Sequence, residues 1–200
     1  MAAHPQHWLT PEEYLEIERA GEFRHEYYNG QMYLMPGGSL QHALIQANMA
    51  RELGNALRKR PCIVTGSDLR MRVAEDGLYT YPDISVVCGE PEFADGRTDT
   101  LLNPCLIIKV LSPSTERKDR GFKFAQYRTL TSLQEYALVS QEEARVEVFR
   151  RQAGGHWILS EYAGINAAAR FDSIDVSVPL AEIYDKVKFE GHAPLHPADE

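Results

Sequence analysis

The chain has 200 residues, of which 44% are hydrophobic and 25% are charged, and its formal net charge is −8. This size and composition are typical of one globular domain with its own core, and without a run of about 18 apolar residues the chain predicts no membrane span. The acidic balance excludes a general basic coat for gripping nucleic acid but leaves a local basic groove open.

The N-terminus and the cysteines predict a cytoplasmic protein. The first residues lack a basic segment followed by an apolar run, so no signal peptide is expected. Cys62, Cys88 and Cys105 are odd in number and lie among Ile, Val and Leu. That setting is typical of buried thiols in a reducing compartment, and no zinc spacing is present.

The N-terminal part predicts a helix followed by a hairpin. Thr10 is a good N-cap, Pro11 suits the first helical position, Glu13 completes a capping box, and Gly21 ends the helix. Next, Asn29 and Gly30 separate two apolar-rich runs. This pair is a strong hairpin signal, because both turn residues need positive φ.

A longer helix and a half-exposed strand follow. The segment 40–58 predicts an amphipathic helix. Its apolar stripe consists of Leu40, Ala43, Leu44, Ala47, Ala50, Leu53 and Leu57. In the segment 69–73, apolar residues alternate with Arg70 and Arg72, which is typical of a half-exposed strand.

The middle of the chain predicts buried strands around a crossover. The near-continuous apolar runs 83–88 and 105–111 predict central strands covered on both faces. A helix over 116–129 and a buried strand over 135–139 complete a right-handed parallel crossover. The residues expected to pack inward from this helix are Phe122, Ala125, Tyr127 and Arg128.

The last quarter predicts an antiparallel hairpin. Its strands cover 145–149 and 157–162 around a Gly-Gly turn, and a short helix near 180–187 follows. We expect one domain over 1–190 and a flexible tail over 191–200.

Two buried strands carry charged residues that require an explanation. Asp83 stands at the mouth of one strand, and Lys109 lies inside the other with Ile107 and Leu111 on its face. An unpaired buried charge costs several kcal/mol, so each needs a partner, a metal or an exit to water. The alternative interpretation is that Asp83 caps a turn and Lys109 extends to solvent at a strand end.

The crossover helix adds a third group. Asp119, Lys123 and Tyr127 fall at i, i+4 and i+8, on one helix face. A surface Asp–Lys pair would explain two of them. Carboxylates and a lysine on a strand–turn–helix are also how phosphodiester hydrolysis is commonly built, because carboxylates hold Mg²⁺ and the lysine stabilises developing negative charge. Glycine-rich phosphate loops and a Gly-x-Ser-x-Gly elbow are absent from the sequence.

Several short motifs occur together along the chain. They are Glu26 with Tyr27, Asn29 with Gly30, Gly-Gly-Ser at 37–39 with His42, Ser-Asp-Leu-Arg at 67–70, Tyr-Pro-Asp at 81–83, Val-Leu-Ser-Pro-Ser-Thr at 110–115, and Asp119, Arg120, Gly121, Lys123 and Tyr127. In this combination the chain resembles the Uma family of restriction-type endonucleases, within the PD-(D/E)XK nuclease superfamily, from Thr10 to about Val187. The resemblance implies an α/β fold, with a restriction-endonuclease-like mixed sheet, a strand–helix–strand parallel crossover flanked by helices, and N-terminal and C-terminal hairpins.

The resemblance also implies site residues. Asp83 matches the metal-binding aspartate, Lys123 matches the catalytic lysine that has moved onto the helix, and Glu26 matches an additional acid near the metal. Mg²⁺ or Mn²⁺ is the implied cofactor and DNA the implied substrate, with a homodimer left open. The chain departs from the family at Lys109, where a second metal-binding glutamate is expected, and at Gln31, where the hairpin often carries a glutamate.

The lysine at 109 changes the expected chemistry. It places an ammonium where Mg²⁺ should bind, so we expect a Lys109–Asp83 salt bridge and weak or absent hydrolysis. Two alternatives remain: Glu26 and Asp83 hold a metal without position 109, or the lysine is an introduced, inactivating substitution.

Three functions therefore compete. The first is a metal-dependent DNA endonuclease, active or disabled, with basic residues around a cleft; the expected rim residues are Arg70, Arg72, Arg117, Lys118 and Arg120. The second is a non-catalytic pseudo-nuclease that binds nucleic acid or regulates, and it predicts an Asp83–Lys109 contact. The third is an interaction module, with an apolar patch around Trp157 and Tyr162 and nothing converging at Asp83.

Overall fold

The computed structural model describes residues 8–74 and 77–189. The α-helices are α1 (Pro11–Ala20), α2 (Leu40–Leu57), α3 (Glu116–Lys118), α4 (Phe124–Tyr127) and α5 (Leu180–Ile183). The strands of the first half are β1 (His25–Tyr28), β2 (Gln31–Leu34), β3 (Cys62–Gly66), β4 (Arg70–Arg72), β5 (Tyr79–Thr80) and β6 (Ile84–Cys88). Those of the second half are β7 (Thr100–Leu101), β8 (Leu106–Val110), β9 (Glu135–Val139), β10 (Arg145–Arg151), β11 (Trp157–Ala163), β12 (Ala168–Phe171) and β13 (Val176–Pro179).

The N-terminal prediction is confirmed. Thr10 caps α1, and its side chain and that of Glu13 form the reciprocal capping box. The β1–β2 hairpin turns at Asn29 and Gly30, with φ of 48° and 78°. Both values lie in the left-handed region, which a two-residue hairpin turn requires and which Asn and Gly readily adopt.

The bounds of α2 are confirmed, but its predicted apolar stripe is confirmed only in its C-terminal part, at Leu53 and Leu57. The helix buries Ile45, Met49, Leu53 and Leu57, whereas Leu40 is 70% exposed. The buried residues are four apart and stay on one face. Most residues of the predicted stripe are spaced three apart, so their direction rotates around the helix axis and its first members do not face the sheet.

A six-stranded mixed sheet forms the centre, in the order β11-β10-β9-β8-β6-β3. Strands β8 and β9 are parallel, and the crossover between them contains α3 and α4. The other neighbours in this sheet are antiparallel, including the predicted C-terminal hairpin β10–β11. One face packs against α2, β12, β13 and α5, and the other against the crossover helix. The predicted mixed α/β architecture is thus confirmed.

A second sheet, in the order β2-β1-β5-β4-β7, was not predicted. It brings the N-terminal hairpin beside the crossover helix. The expectation that Arg70 faces solvent on its strand is wrong, because its side chain is buried. There its guanidinium pairs with Asp99 at 3.1 Å and donates to Tyr81 Oη and Thr100 Oγ1.

The crossover helix contains a π-helical turn at Asp119–Lys123, between α3 and α4. The inward packing predicted for Ala125 and Arg128 is wrong, since both are exposed, and Phe122 is only partly buried. The helix buries Tyr127, as predicted, together with Asp119 and Lys123. This charged face can be buried because the Lys123 ammonium is paired with carboxylates inside the protein.

The expectation of three thiols is also wrong. Cys62 and Cys88 are paired residues on β3 and β6, and they form a disulfide. Cys105 is a half-buried thiol that donates to the Val86 carbonyl oxygen at 3.2 Å. The residue pattern of the two strands did not predict this disulfide, because the register between the strands decides which cysteines are adjacent. The cytoplasmic location remains a prediction.

At the C-terminus, α5 ends at Ile183, earlier than the predicted 180–187. The predicted tail, 191–200, lies outside the described residues. Within the described ranges, no helix has the length and apolarity needed to cross a bilayer.

Candidate active site

Asp83 and Lys109 face each other across β6 and β8. Ile84 pairs with Ile108 in the antiparallel register, so the residue before Ile84 stands opposite Lys109 and points to the same face. Lys109 Nζ lies 2.9 Å from Asp83 Oδ1, and the Val110 N–H donates to Asp83 Oδ2 at 2.7 Å. The Asp83–Lys109 salt bridge expected from the sequence is confirmed.

This pair is buried and ionised. Burial alone would raise the pKa of the Asp83 carboxyl, but the Lys109 ammonium and then His42 lower it to about 2. Burial likewise opposes the charge on Lys109, and the Asp83 carboxylate nevertheless raises its pKa above the usual value. Each charge therefore keeps the other ionised in a largely buried setting.

Glu26 and Lys123 form a second buried pair. Glu26 lies on β1, and Lys123 Nζ donates to its Oε1 at 2.5 Å. Thr80 Oγ1 donates to the same oxygen, and Lys118 Nζ lies 3.2 Å from Oε2. Although burial raises the pKa of Glu26, Lys123 with these partners lowers it to about 2. Burial lowers the pKa of Lys123, but Glu26, then Asp119 and Asp83, raise it above its usual value.

Asp119 is the third buried acid of this site, after Asp83 and Glu26. Its side chain is 0% exposed, and neither carboxylate oxygen has a hydrogen-bond partner. Its cation is Lys123, whose Nζ lies 3.5 Å from Oδ1. The interpretation of these two residues as a surface ion pair is wrong, because both lie inside the protein. The π-turn that carries them is a feature often found at functional sites.

Charges balance within this cluster, which we define as Glu26, Asp83, Asp119, Lys109, Lys118 and Lys123. Three carboxylates face three ammonium groups. A glutamate at position 109 would leave four carboxylates and two ammonium groups, an excess of two negative charges. One divalent cation balances that excess, so the Lys109 ammonium supplies the compensation that a metal would otherwise provide.

The side chains present do not fit a divalent metal. Across residues 8–74 and 77–189, no three His, Cys, Asp or Glu side chains converge on a point where a metal could bind. Asp83 is engaged by Lys109, and Glu26 by two lysines and a threonine. The alternative in which Glu26 and Asp83 hold a metal together is therefore not favoured.

Only part of the predicted basic rim lies at the surface. Arg117 is exposed, and the Lys118 side chain is 42% exposed. Arg120 is paired with two glutamates, Arg72 is half-buried, and Arg70 belongs to the buried network described above. The local groove expected at the site thus offers few unengaged cations.

Other features oppose the interaction-module hypothesis. Charged residues do converge at Asp83. Trp157 and Tyr162 are partly buried, and the Trp157 ring packs edge-on against Phe124 with Arg151 over it. Trp157 and Tyr162 themselves are therefore not an exposed apolar patch, although their neighbours Ile158 and Leu159 on β11 are 55% and 49% exposed.

Three contributors to the site were not recognised from the sequence. His42 Nε2 lies 3.5 Å from Asp83 Oδ1, Thr80 donates to Glu26, and Lys118 was expected only at the rim. Ser39 accepts from the His42 N–H as the N-cap of α2, which fixes His42 in the first turn. Thr80 lies on a two-residue strand, and no sequence pattern identifies such a strand.

Comparisons with known proteins agree with this architecture. The family model Uma2, described as "Putative restriction endonuclease", matches residues 11–181. Two similar proteins come from Synechocystis sp. (strain ATCC 27184 / PCC 6803 / Kazusa). Uncharacterized protein slr1290 is 36% identical over 90% of this chain and 94% of its own length. Uncharacterized protein sll1609 is 35% identical over 84% of this chain and 95% of its own length. A solved structure, described as a putative nuclease belonging to DUF820 from Anabaena variabilis ATCC 29413, superposes with a TM-score of 0.71 at 21% identity, covering 88% of this chain and 97% of that one. The last similarity supports the fold alone.

Proposed function

From the membership of this chain in the Uma2 family, described as "Putative restriction endonuclease", we propose a function. The protein binds DNA and has a nuclease fold, and Lys109 keeps its hydrolytic centre inactive. The observation that carries the inactive centre is the 2.9 Å contact between Lys109 Nζ and Asp83 Oδ1, and the binding of DNA is inferred from the description of the family. An ammonium at that distance repels a second cation, and its carboxylate partner is already compensated.

The remaining residues suit the handling of a phosphate. Lys123 is buried beside Glu26 with its pKa raised, so it stays charged at neutral pH. A buried, charged lysine is the type of group that stabilises negative charge on a phosphate, and in this chain Glu26 and Asp119 compensate its charge. These residues support a scaffold of the nuclease type that lacks one group, the second carboxylate.

The proposal predicts that one substitution creates a metal site. In Lys109→Glu, two carboxylates face each other across β6 and β8, so the fold is destabilised until a divalent cation binds. Mg²⁺ should therefore raise the Tm of Lys109→Glu and leave that of the wild type unchanged, because a ligand of the native state stabilises it by mass action. Lys109→Met is the matched control, since it removes the ammonium without adding a carboxylate.

Supercoiled-plasmid cleavage in Mg²⁺ or Mn²⁺ tests the same variants for activity. We expect nicking by Lys109→Glu alone and its loss when Asp83→Ala is added. Circular dichroism verifies that each variant is folded. Robust metal-dependent cleavage by the wild type that disappears in Asp83→Ala would refute the proposal. A mobility-shift assay on the wild type tests DNA binding separately.

A further inference from the structure

Tyr33 is an exposed aromatic residue directly beside the charged cluster. It pairs with Glu26 in the β1–β2 hairpin, and directly opposed residues of antiparallel strands lie on the same face. Glu26 reaches inward from that face to Lys123. Tyr33 stands one strand further out, on the edge strand β2, and is 42% exposed.

Lys118 connects Tyr33 to the cluster. Its Nζ lies 3.2 Å from Glu26 Oε2 and 5.2 Å from the centre of the Tyr33 ring. Its side chain is 42% exposed. The ammonium thus lies over one face of the aromatic ring, where the buried cluster meets solvent.

The Tyr33 ring is held in place by a polar contact and contributes little to the core. Its hydroxyl donates to Gln31 Oε1 at 2.7 Å, on the same strand. Single exposed hydrophobic residues are common and need no explanation by themselves. Tyr33 differs because it contacts Lys118, whose ammonium also pairs with Glu26 of the cluster.

Overall charge restricts how this protein can bind nucleic acid. With a net charge of −8, the protein as a whole is repelled by phosphates at long range, and local contacts must supply the affinity. Stacking of a base on an aromatic ring is independent of charge and contributes about 1–3 kcal/mol per base. A base is available for such stacking only where it is not already stacked within a duplex.

We infer that Tyr33 and Lys118 form a nucleotide subsite at the mouth of the cluster, and that the protein binds single-stranded DNA more tightly than duplex DNA. One unstacked base lies on the Tyr33 ring, and a neighbouring phosphate contacts the Lys118 ammonium. This inference rests on the proposed DNA binding and adds the form of DNA that the site accepts.

Fluorescence anisotropy with a short labelled single strand and the corresponding duplex tests the subsite. We expect tighter binding of the single strand and a loss of roughly 5- to 150-fold for Tyr33→Ala, which is about 1–3 kcal/mol of stacking. Tyr33→Phe should bind like the wild type. The matched control is Phe23→Ala, since Phe23 is an exposed aromatic residue outside the hairpin strands, at 68% exposure. Lys118→Ala should lower the salt slope of binding by about one unit.

A stacking readout separates this subsite from simple charge attraction. A 2-aminopurine in the single strand should lose fluorescence on binding the wild type and Tyr33→Phe, but not Tyr33→Ala. If the wild type binds DNA but prefers the duplex, or if Tyr33→Ala binds the single strand unchanged, the subsite is refuted while the proposed function stands. If the wild type binds neither form, both fail.

Discussion

Lys109 Nζ lies 2.9 Å from Asp83 Oδ1, and both side chains are less than a tenth exposed. The two residues come from neighbouring antiparallel strands of the central sheet. Because water screens the pair only weakly, each residue depends on the other for compensation of its charge, and removing one leaves the other costly to bury.

The first prediction concerns that dependence. Lys109→Met should lower the free energy of unfolding by about 3–5 kcal/mol, because Asp83 keeps a buried charge without its cation. Adding Asp83→Asn to the same chain should recover much of this loss, since no unpaired charge then remains. Urea denaturation of the wild type, both single variants and the double variant measures the coupling energy. A coupling near zero would show that the two groups do not depend on each other.

The second prediction concerns acid stability. The folded pKa values of Glu26 and Asp83 are about 2, below the ordinary values of 4.5 and 3.8 for these carboxyl groups. A depressed folded pKa means that the unfolded chain takes up protons first, so the stabilisation is present above the unfolded pKa and is lost as pH falls towards 2. Each carboxylate should contribute about 2–3 kcal/mol at neutral pH.

Urea denaturation at several pH values between 7 and 2.5 tests this pH dependence. Glu26→Gln should flatten the decline below about pH 4.5, because its amide does not titrate. Glu12→Gln, on an exposed side chain of α1, is the matched control and should leave the decline unchanged. Equal declines in the wild type and Glu26→Gln would contradict the assigned pairing.

The third prediction concerns the disulfide. Cys62 and Cys88 are 26 residues apart in sequence, and a bond across a loop of this length typically stabilises the fold by about 2–4 kcal/mol. A reductant should therefore lower the Tm of the wild type but not that of Cys62→Ser. The matched control is Cys105→Ser, which should respond like the wild type. Titration of the unreduced, denatured chain should reveal one thiol; three thiols would refute the bond.

The fourth prediction contrasts two glycines. Gly30 has φ of +78°, and a Cβ added there would lie 2.7 Å from Trp8 Cε3. Gly30→Ala should therefore lower the free energy of unfolding by about 1 kcal/mol or more. Gly54 lies in α2, where an added Cβ meets nothing within 4 Å, so Gly54→Ala should raise stability by about 0.5–1 kcal/mol. Denaturation midpoints of the two variants should move in opposite directions, and a shared direction would contradict the turn geometry.

Local residue patterns determined much of the fold. The capping residues of α1, the Asn29–Gly30 turn and the apolar runs of β6, β8 and β9 depend on short-range sterics and burial, which adjacent residues encode. The parallel crossover followed from the order of these elements. The pairing of Asp83 with Lys109 was expected once the family resemblance placed both residues at one site, because two unlike buried charges compensate each other.

Only the tertiary structure decided which distant groups meet. The second sheet brings Glu26 within 2.5 Å of Lys123, 97 residues away in the sequence, and strand register places Cys62 beside Cys88. Register, helix rotation and the packing of one sheet beside another depend on the summed fit of many side chains, which no single segment contains. For the same reason the burial of Asp119 and the position of Lys118 beside Tyr33 had no local signal. The sequence specified the chemical groups of this site, and packing across the whole chain set the distances between them.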